Sequence, residues 1–495
     1  MAPERAQRSD VEVARKRVII EGVAPEIDGG LFPAKRTVGD RLRVEADIVA
    51  DGHEVLAAEL LYRRAAESDW QVAPLRPLVN DRWRGEFPVT ELGRYHYTMQ
   101  AWIDRFRTWQ RDLQKKVEAG QDVAVELLMG AELVEEAQQR ASGRDAEGLA
   151  EWAQVLRREG QQADRVEKAL DPELTLVMGR YPDRRFITVY DKTLTVVVEP
   201  VKARYSTWYE MFPRSCAPEQ GKHGTFQDCE LRLPYLAHLG FDVLYFPPIH
   251  PIGRTHRKGK NNVPQCTPED VGSPWGIGAA EGGHKAVHPD LGTLEDFRRL
   301  LARAQEYGID IALDIAFQVS PDHPYVKEHP TWFRWRPDNT VQYAENPPKK
   351  YEDIYPFDFE TEEWEALWQE LKSVFFFWID QGVRIFRVDN PHTKPFRFWE
   401  WVIGEIKAAY PDTIFLAEAF TRPKVMYRLA KLGFSQSYTY FAWRNTKWEI
   451  MQYFTELTKT DVGEYFRPNL WPNTPDILTE YLQFGGPPAF RSRLV

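Results

Sequence analysis

Three carboxylates stand at or near the ends of predicted β-strands, and their types suit acid–base and nucleophilic chemistry. Asp389 follows the apolar run VRIFRV, Glu418 follows IFLA, and Asp476 stands in NTPDIL. Arg387 lies two residues before Asp389, so both side chains share one face of a strand and can pair. A neighbouring guanidinium keeps a carboxylate ionised, as a nucleophile requires. Glu418 lies between two alanines, and this apolar setting is expected to raise its pKa, as a general acid requires.

This division of roles predicts retaining glycosyl transfer. In retaining glycosidases, two carboxyl groups about 5–5.5 Å apart form and break a covalent glycosyl ester. Another interpretation stays open at each position, because a strand-end carboxylate is often a helix cap or a solvated group. The Arg387–Asp389 pair can likewise be a structural ion pair of a barrel interior. Three carboxylates at successive strands favour convergence on one rim.

The elements that position these residues alternate between strands and helices from about Tyr205 onward, which favours a parallel sheet of the (β/α)8, or TIM-barrel, type. The Pro-rich segment 318–358 is predicted to be a long functional loop at the C-terminal rim. After Asp476 one helix-like stretch and GGPPAFRSRLV remain, so the eighth strand of the barrel is predicted to be missing. The seven predicted strands are Thr207–Phe212, Val243–Pro247, Asp310–Phe317, Val383–Asp389, Thr413–Ala419, Ser437–Phe441 and Leu470–Asp476.

The N-terminal residues have a different pattern, which predicts a separate domain. Strand-like stretches predict an antiparallel β-sandwich over 11–103 and 176–200. A hairpin is predicted around Asp191–Lys192. Residues 104–175 are rich in Ala, Glu, Gln, Leu and Arg at helical spacing and predict a helical insert. The barrel is predicted over 201–495. The strand-like stretches lie at 41–48, 60–63, 82–89, 95–102, 185–190 and 194–199.

The composition bounds the class of protein. The chain has 495 residues, 43% of them hydrophobic, and a formal charge of −10. These values fit a multidomain globular protein, and the negative charge disfavours nucleic acid and anionic membranes as partners. Three cysteines without a CxxC pair argue against a disulfide framework and a zinc site. No segment resembles a signal peptide or a transmembrane helix, so a cytoplasmic location is expected.

Histidines and aromatic residues near the strand ends add weaker signals. Four histidines lack metal-ligand spacing, so sugar contacts or structural hydrogen bonds are expected of them. Four aromatic residues could stack on sugar rings, although packing is the more common role. These residues are His250, His284, His323, His392, Trp275, Trp399, Tyr438 and Tyr440.

The strand-end regions resemble the four short sequence regions of the α-amylase superfamily, which lie on barrel strands three, four, five and seven. The counterparts are Asp314 in DIALDIAFQ, Arg387 and Asp389 in GVRIFRVD, Glu418 in FLAEAF, and Asp476 in NTPDIL. The resemblance implies that Asp389 is the nucleophile and Glu418 the acid/base. It also implies that Asp476 binds sugar hydroxyls and favours the distorted transition state, with Asp314 and Arg387 in support.

Departures from the amylase pattern resemble a narrower family. An amylase usually has Asn-His after the strand-three region and Asn-His-Asp in the strand-seven region, whereas this chain has Gln318-Val319 and NTPD. Strings such as PPIHPIG, GSPWGIG, AENPPKKYEDIYP, RVDNPHTKPFRFWE and SYTYFAWRNTKWE resemble the α-1,4-glucan:maltose-1-phosphate maltosyltransferases. The resemblance implies retaining transfer of a maltosyl unit from α-maltose-1-phosphate to the non-reducing end of an α-1,4-glucan. It further implies a homodimer that needs no metal or organic cofactor.

A phosphate leaving group needs cationic and amide donors that a plain hydrolase does not. The resemblance implies that six such residues surround the donor phosphate and sugar: Lys258, Gln318, Asn346, Lys349, Tyr351 and Asn390. For Lys349 and Lys350, a solvated charge pair on a loop is the alternative. For the whole chain, the alternatives are an amylase-like hydrolase, a trehalose-forming isomerase, and a non-catalytic glucan-binding remnant with a truncated barrel.

Overall fold

The computed structural model describes residues 15–494, which divide into two compact units. The first unit comprises 15–30, 41–88 and 94–196, and the second comprises 31–40, 89–93 and 197–494. The predicted start of the β-domain at residue 11 lies outside the described residues. None of the helices between residues 15 and 494 combines the length and the apolarity that crossing a membrane requires.

Two sheets of short strands form the β-domain of the first unit. One sheet has the order β1-β3-β7-β6, and the other has the order β10-β8-β4-β5 with β9 beside β8. Alternate residues of β3 are buried, and the stacked rings of Tyr62 and Phe87 lie 4.4 Å apart between the sheets. The N-terminal strands are β1 (Val18–Ala24), β2 (Ala34–Thr37), β3 (Arg41–Ala50), β4 (Leu56–Arg64), β5 (Gln71–Pro74), β6 (Arg76–Pro77), β7 (Arg82–Pro88), β8 (Gly93–Ile103), β9 (Thr188–Val189) and β10 (Leu194–Glu199).

The predicted hairpin around Asp191–Lys192 is wrong. β9 pairs antiparallel with β8 rather than with β10, and β10 also lies next to β8. The backbone N–H of Tyr190 donates to the carbonyl of Met99, which extends the pairing along β8. Because β4 occupies one edge of β8, β9 and β10 follow one another along the other edge instead of pairing with each other.

Five helices lie between residues 105 and 180 of the first unit. The last helix begins at Pro172, where Asp171 caps its N-terminus and Pro172 occupies its first turn, and it runs to Arg180, past the predicted boundary at residue 175. Leu127, Val134, Leu149 and Leu156 are fully buried in the core between these helices. The helices are α1 (Arg105–Glu118), α2 (Ala124–Gln138), α3 (Gly143–Arg157), α4 (Gln162–Ala169) and α5 (Pro172–Arg180).

A seven-stranded parallel sheet forms the centre of the second unit, in the order β11-β12-β13-β18-β19-β20-β21. Six of the seven strands agree with the sequence prediction within a few residues. The strands of this unit are β11 (Trp208–Glu210), β12 (Val243–Phe246), β13 (Asp310–Ile315), β14 (Gln318–Val319), β15 (Ala344–Asn346), β16 (Lys349–Tyr351), β17 (Tyr355–Pro356), β18 (Ile385–Asp389), β19 (Ile414–Glu418), β20 (Gln436–Tyr438) and β21 (Pro468–Asn469).

The predicted seventh strand, Leu470–Asp476, is wrong in position. The strand that pairs with β20 is β21, which ends at Asn469, and Asp476 lies in the loop beyond it. Pro472 and Pro475 lack backbone N–H groups, so they cannot continue the ladder. Asp476 therefore depends on a loop, and not on a strand end, for its position.

The alternation of side chains along the parallel strands creates layers inside the sheet. Small and apolar residues form the lowest layer, among them Val243, Ala312, Ile385 and Ile414. Residues two positions further along each strand face the same side, which places polar groups in the next layer. The polar side chains therefore lie above an apolar layer, toward the carboxyl ends of the strands.

Helices cover the outer face of this sheet. Phe375 of the seventeen-residue α11 contacts Phe386 and Phe415 on two neighbouring strands, at ring separations of 5.1 and 5.6 Å. The helices of this unit are α6 (Val201–Arg204), α7 (Phe226–Glu230), α8 (Leu233–Leu239), α9 (Leu294–Glu306), α10 (Pro324–Glu328), α11 (Trp364–Asp380), α12 (Phe396–Ala409), α13 (Pro423–Lys431), α14 (Lys447–Lys459) and α15 (Glu480–Leu494), the last interrupted at Gly486.

The predicted long loop 318–358 contains small regular elements. Its ends pair as β14 with β17, and β15 and β16 form a hairpin between them. This arrangement closes the base of the loop and projects the hairpin from the rim of the sheet.

Candidate active site

Asp389 and Glu418 end two neighbouring parallel strands and lie opposite each other in the pairing register. Adjacent strands are about 4.8 Å apart, so the two residues start from the short separation that suits a retaining pair. Both line a cleft of about 1470 Å³ at the carboxyl ends of the strands. Asp389 and Glu418 point into the same cleft because each is in step with the residues of its strand, β18 or β19, that face the interior of the sheet.

Arg387 connects the acidic groups of the cleft. Its Nη1 lies 3.0 Å from Oδ1 of Asp389 and 2.8 Å from Oδ2 of Asp314, and its Nη2 lies 3.6 Å from Oε2 of Glu418. The guanidinium is almost fully buried, with 4% of its side chain exposed. One arginine thus offsets the repulsion among three carboxyl groups and holds Asp389 in a fixed orientation.

Glu418 has the properties of a general acid. Burial, together with repulsion by Asp389 and against the lowering effect of Arg387, raises its pKa to about 7. Its Oε2 accepts a hydrogen bond of 3.1 Å from the backbone N–H of Asn390. An oxygen that accepts from an N–H and faces a guanidinium is a poor site for a proton, so the proton belongs on Oε1.

Asp314 lies one layer below Asp389. Its Oδ2 accepts hydrogen bonds from the hydroxyl of Tyr245 at 2.6 Å and from Nε1 of Trp275 at 3.2 Å, besides its contact with Arg387. Burial raises its pKa to about 6. The rings of Tyr245 and Tyr438 flank the Arg387 guanidinium, each at 5.7 Å. Asp314 therefore contacts Arg387 and not Asp389.

Asp476 reaches the same cleft from its loop. Desolvation in the cleft raises its pKa, Arg387 lowers it, and repulsion by Asp389 raises it. The loop beyond β21 thus brings Asp476 close enough to Asp389 for the two carboxyl groups to repel each other.

The predicted phosphate donors gather around the cleft with one exception. Asn346 and Lys349 are paired in the β15–β16 hairpin, as are Ala344 and Tyr351, so all four side chains lie on one face of it. Lys349 is exposed and does not line the cleft, although it shares its face with Tyr351, which does. The cleft-lining members of the predicted set are Lys258, Gln318, Asn346, Tyr351 and Asn390.

Lys258 has acidic neighbours that the sequence analysis does not single out. Its buried Nζ lies 4.0 Å from Oδ1 of Asp353 and 4.0 Å from Oε2 of Glu352. Oδ1 of Asp353 is buried in the cleft wall and makes no hydrogen bond within residues 15–494. Asp353 and Lys258 together therefore offer an acceptor and a donor to a polar ligand such as a sugar.

Two features of the cleft escape the sequence analysis: Glu210, and the contact between Trp275 and Asp314. Glu210 ends β11, opposite Tyr245 in register, and faces the interior together with Trp208. Burial raises its pKa to about 8, with Arg387 lowering it and Asp476 raising it. Asp389 is selected because it is a carboxylate at the end of a predicted strand. The same reasoning selects Glu210 if the predicted strand ends at Glu210 rather than at Phe212. Trp275 contacts Asp314 and lines the cleft, but its sequence context carries no signal of this.

Three of the four histidines named from the sequence form hydrogen bonds with the backbone, and the fourth lies at the cleft. His250 donates from Nδ1 to the carbonyl of Ala286, and His284 donates from Nε2 to the carbonyl of Ala316. His323 accepts from the backbone N–H of Tyr325, whereas His392 lines the cleft. Within residues 15–494, no group of three or more His, Cys, Asp or Glu side chains is arranged to hold a metal ion.

Two family models match the chain. Residues 16–200 match the model described as alpha-1,4-glucan:maltose-1-phosphate maltosyltransferase, domain N/S. Residues 210–413 match the model described as alpha amylase, catalytic domain.

Curated proteins named alpha-1,4-glucan:maltose-1-phosphate maltosyltransferase are similar over nearly the whole chain. The one from Chlorobaculum tepidum is 57% identical over 481 residues, which cover 97% of this chain and 72% of the relative. The one from Methylacidiphilum infernorum is 55% identical over 482 residues, with 97% and 72% covered. Among solved structures, an alpha-amylase from Lactobacillus plantarum is 26% identical and covers 54% of this chain and 61% of its own, with a TM-score of 0.42.

Proposed function

Because the chain belongs to the family of α-1,4-glucan:maltose-1-phosphate maltosyltransferases, we propose that it transfers a maltosyl unit from α-maltose-1-phosphate to the non-reducing end of an α-1,4-glucan, with retention. The observation that supports this reaction best is the pairing of Asp389 with Glu418 on adjacent strands, with Arg387 between them. No other pair of carboxyl groups among residues 15–494 combines this register with a position in the cleft.

In the first half of the proposed reaction, Asp389 attacks the anomeric carbon of the donor and forms a β-maltosyl ester. The bond to the phosphate oxygen breaks with its electron pair, and Glu418 donates its proton from Oε1 to that oxygen. Arg387 keeps Asp389 ionised and oriented for the attack. Asp476 accepts hydrogen bonds from sugar hydroxyls and so favours the distorted ring of the transition state.

In the second half, Glu418 is a carboxylate and acts as the base. It removes the proton of the acceptor 4-hydroxyl, whose oxygen attacks the anomeric carbon and displaces Asp389. The new bond has the α configuration because the two displacements each invert the centre. Both carboxyl groups return to their starting protonation states, so the cycle needs no added proton or cofactor.

The donor phosphate is proposed to contact the hairpin and the turn after the nucleophile. Asn346, Lys349 and Tyr351 share one face of the hairpin, and Asn390 follows Asp389 directly. Lys258 and Gln318 line the same cleft and serve the sugar or the phosphate. Cationic and amide donors of this kind suit the oxygens of a phosphate dianion.

The reverse reaction tests the proposal. Glycogen and inorganic phosphate incubated with the protein should give maltose-1-phosphate, and Asp389→Ala should give none. Release of maltose or of trehalose without any maltose-1-phosphate would favour a hydrolase or an isomerase and contradict the proposal.

Further parts of the proposal rest on the sequence and on the resemblance. They are a sandwich domain over 11–103 and 176–200 with an insert over 104–175, a barrel-type catalytic domain over 201–495, a homodimer and a cytoplasmic location. Light scattering on the purified protein tests the dimer, and a monomer at all concentrations would remove it from the proposal.

A further inference from the structure

Lys394 lies in the wall of the cleft, five residues after the nucleophile. Its ammonium donates to the main-chain carbonyls of Asn390 at 3.3 Å and Asp389 at 3.4 Å. Between residues 15 and 494, no carboxylate lies within ion-pair distance of this ammonium. The ammonium of Lys394 thus has no ionic partner and contacts the main chain at the end of β18, the strand that ends in Asp389.

The turn that Lys394 contacts has an uncommon backbone conformation. Asn390 is left-handed, with φ 40° and ψ 55°, and such a conformation in a residue other than glycine persists only when its surroundings hold it. The carbonyl of Asn390 also accepts from the backbone N–H of Thr393 at 3.1 Å and from its hydroxyl at 2.8 Å. These donors fix the residue whose own N–H binds Oε2 of Glu418.

The charged groups around Lys394 come from several strands. The carboxylates of Asp389, Glu418 and Asp314 attract its ammonium, and the guanidinium of Arg387 repels it. His392 lies in the same turn and faces the same field. Burial lowers the pKa of Lys394, and the three carboxylates oppose that change. A positive charge in this position favours the ionised form of a nearby carboxyl group.

We propose that Lys394 is a positioning residue for the transfer reaction. Its ammonium fixes the turn at Asn390 and supplies a positive charge that favours ionised Glu418 in the step that deprotonates the acceptor. This inference rests on the proposed function. Lys394 acts through Asn390 and Glu418 and does not contact the reacting atoms.

The second half-reaction tests this role by itself. α-Maltosyl fluoride forms the ester with little acid assistance, so turnover with a maltooligosaccharide acceptor reports on Glu418 as a base. In Lys394→Met, the midpoint of the rise of this turnover rate with pH should move to higher pH by roughly half a unit or more, because Glu418 loses a nearby cation. The fraction of enzyme held as ester at neutral pH should increase, and Lys394→Arg should stay close to the wild type.

Thr393→Val is the matched control, because it removes another hydrogen bond to the same carbonyl without removing a charge. Thr393→Val should slow turnover with α-maltosyl fluoride and should leave the midpoint of its pH dependence unchanged. Lys394→Gln provides the same charge test if the methionine variant does not fold, as judged by circular dichroism.

An unmoved pH dependence in both neutral Lys394 variants would overturn the role. A loss confined to maltose-1-phosphate, with fluoride turnover unchanged, would make Lys394 a phosphate ligand and would also overturn it. A wild-type enzyme that forms no maltose-1-phosphate overturns the proposed function instead, and the fluoride comparison still decides the role of Lys394.

Discussion

The backbone N–H of Asn390 donates a hydrogen bond of 3.1 Å to Oε2 of Glu418. The residue that follows Asp389 therefore orients Glu418 on the neighbouring strand. Since Oε2 is occupied, Oε1 is the oxygen that can carry the proton to the leaving group. Asn390 itself has a left-handed conformation, so an uncommon backbone geometry and the hydrogen bond to Glu418 occur at one position.

We expect the leaving group to determine the basic side of the pH profile. Glu418 must be protonated in the first step, and its pKa is raised to about 7, so kcat/KM for maltose-1-phosphate should fall as the pH rises through about 7. α-Maltosyl fluoride needs little acid assistance and should lack this fall. Ionisation of the donor phosphate near pH 6 affects only the acidic side. The same basic limb with both donors would contradict the assignment of Glu418 as the acid.

Lys349 is predicted to act on the donor phosphate. Lys349→Ala should weaken use of maltose-1-phosphate by roughly ten- to a hundred-fold, since a charge-assisted hydrogen bond contributes about 1.5–3 kcal/mol. Use of α-maltosyl fluoride should change little. The neighbouring Lys350 faces the other side of the hairpin, so Lys350→Ala is the control and should have no effect. Equal losses with both donors would make Lys349 structural.

Three buried histidines predict a loss of stability in mild acid. Burial lowers the pKa of His250 to about 3, of His284 to about 4 and of His323 to about 2. The folded protein therefore favours neutral imidazoles, and their contribution is complete above an unfolded pKa of about 6.5 and decreases as the pH falls below it. Each histidine should cost about 1.4 kcal/mol per pH unit in the range from about 6.5 down to 4.

Thermal unfolding between pH 7.5 and pH 5 measures this effect. His250→Gln should reduce the slope of the unfolding free energy against pH by about 1.4 kcal/mol per pH unit, which corresponds to one proton. His238 is exposed, so His238→Gln should leave the slope unchanged. A slope that is the same in both variants would contradict a buried neutral His250.

Strand periodicity predicts most of the second unit because the strands are apolar and end in polar residues. The layers of the sheet follow from that periodicity, which is why Arg387, Asp389 and Glu418 could be expected to meet before their contacts were known. The position of Asp476 could not be predicted in this way. Asp476 lies in a loop beyond β21, whereas the sequence pattern predicts a strand that contains Pro472 and Pro475.

Partners that are distant in the chain are the other part that sequence reasoning misses. Tyr245 and Trp275 meet Asp314 only through the fold, and nothing in their own segments indicates it. The turn at Asn390 also could not be predicted from the sequence. Thr393 and Lys394 have the pattern of ordinary loop residues, and only the structure shows that both donate to the carbonyl of Asn390.

The most direct test of the account is the trapping of a glycosyl ester on Asp389. Glu418→Ala incubated with α-maltosyl fluoride should accumulate one maltosyl group, because the ester forms without acid assistance but its breakdown lacks a base. Intact-protein mass spectrometry detects the adduct, and peptide mapping locates it. The account predicts a single adduct on Asp389 and none in Asp389→Ala. An adduct on another residue, or no adduct in Glu418→Ala, would contradict it.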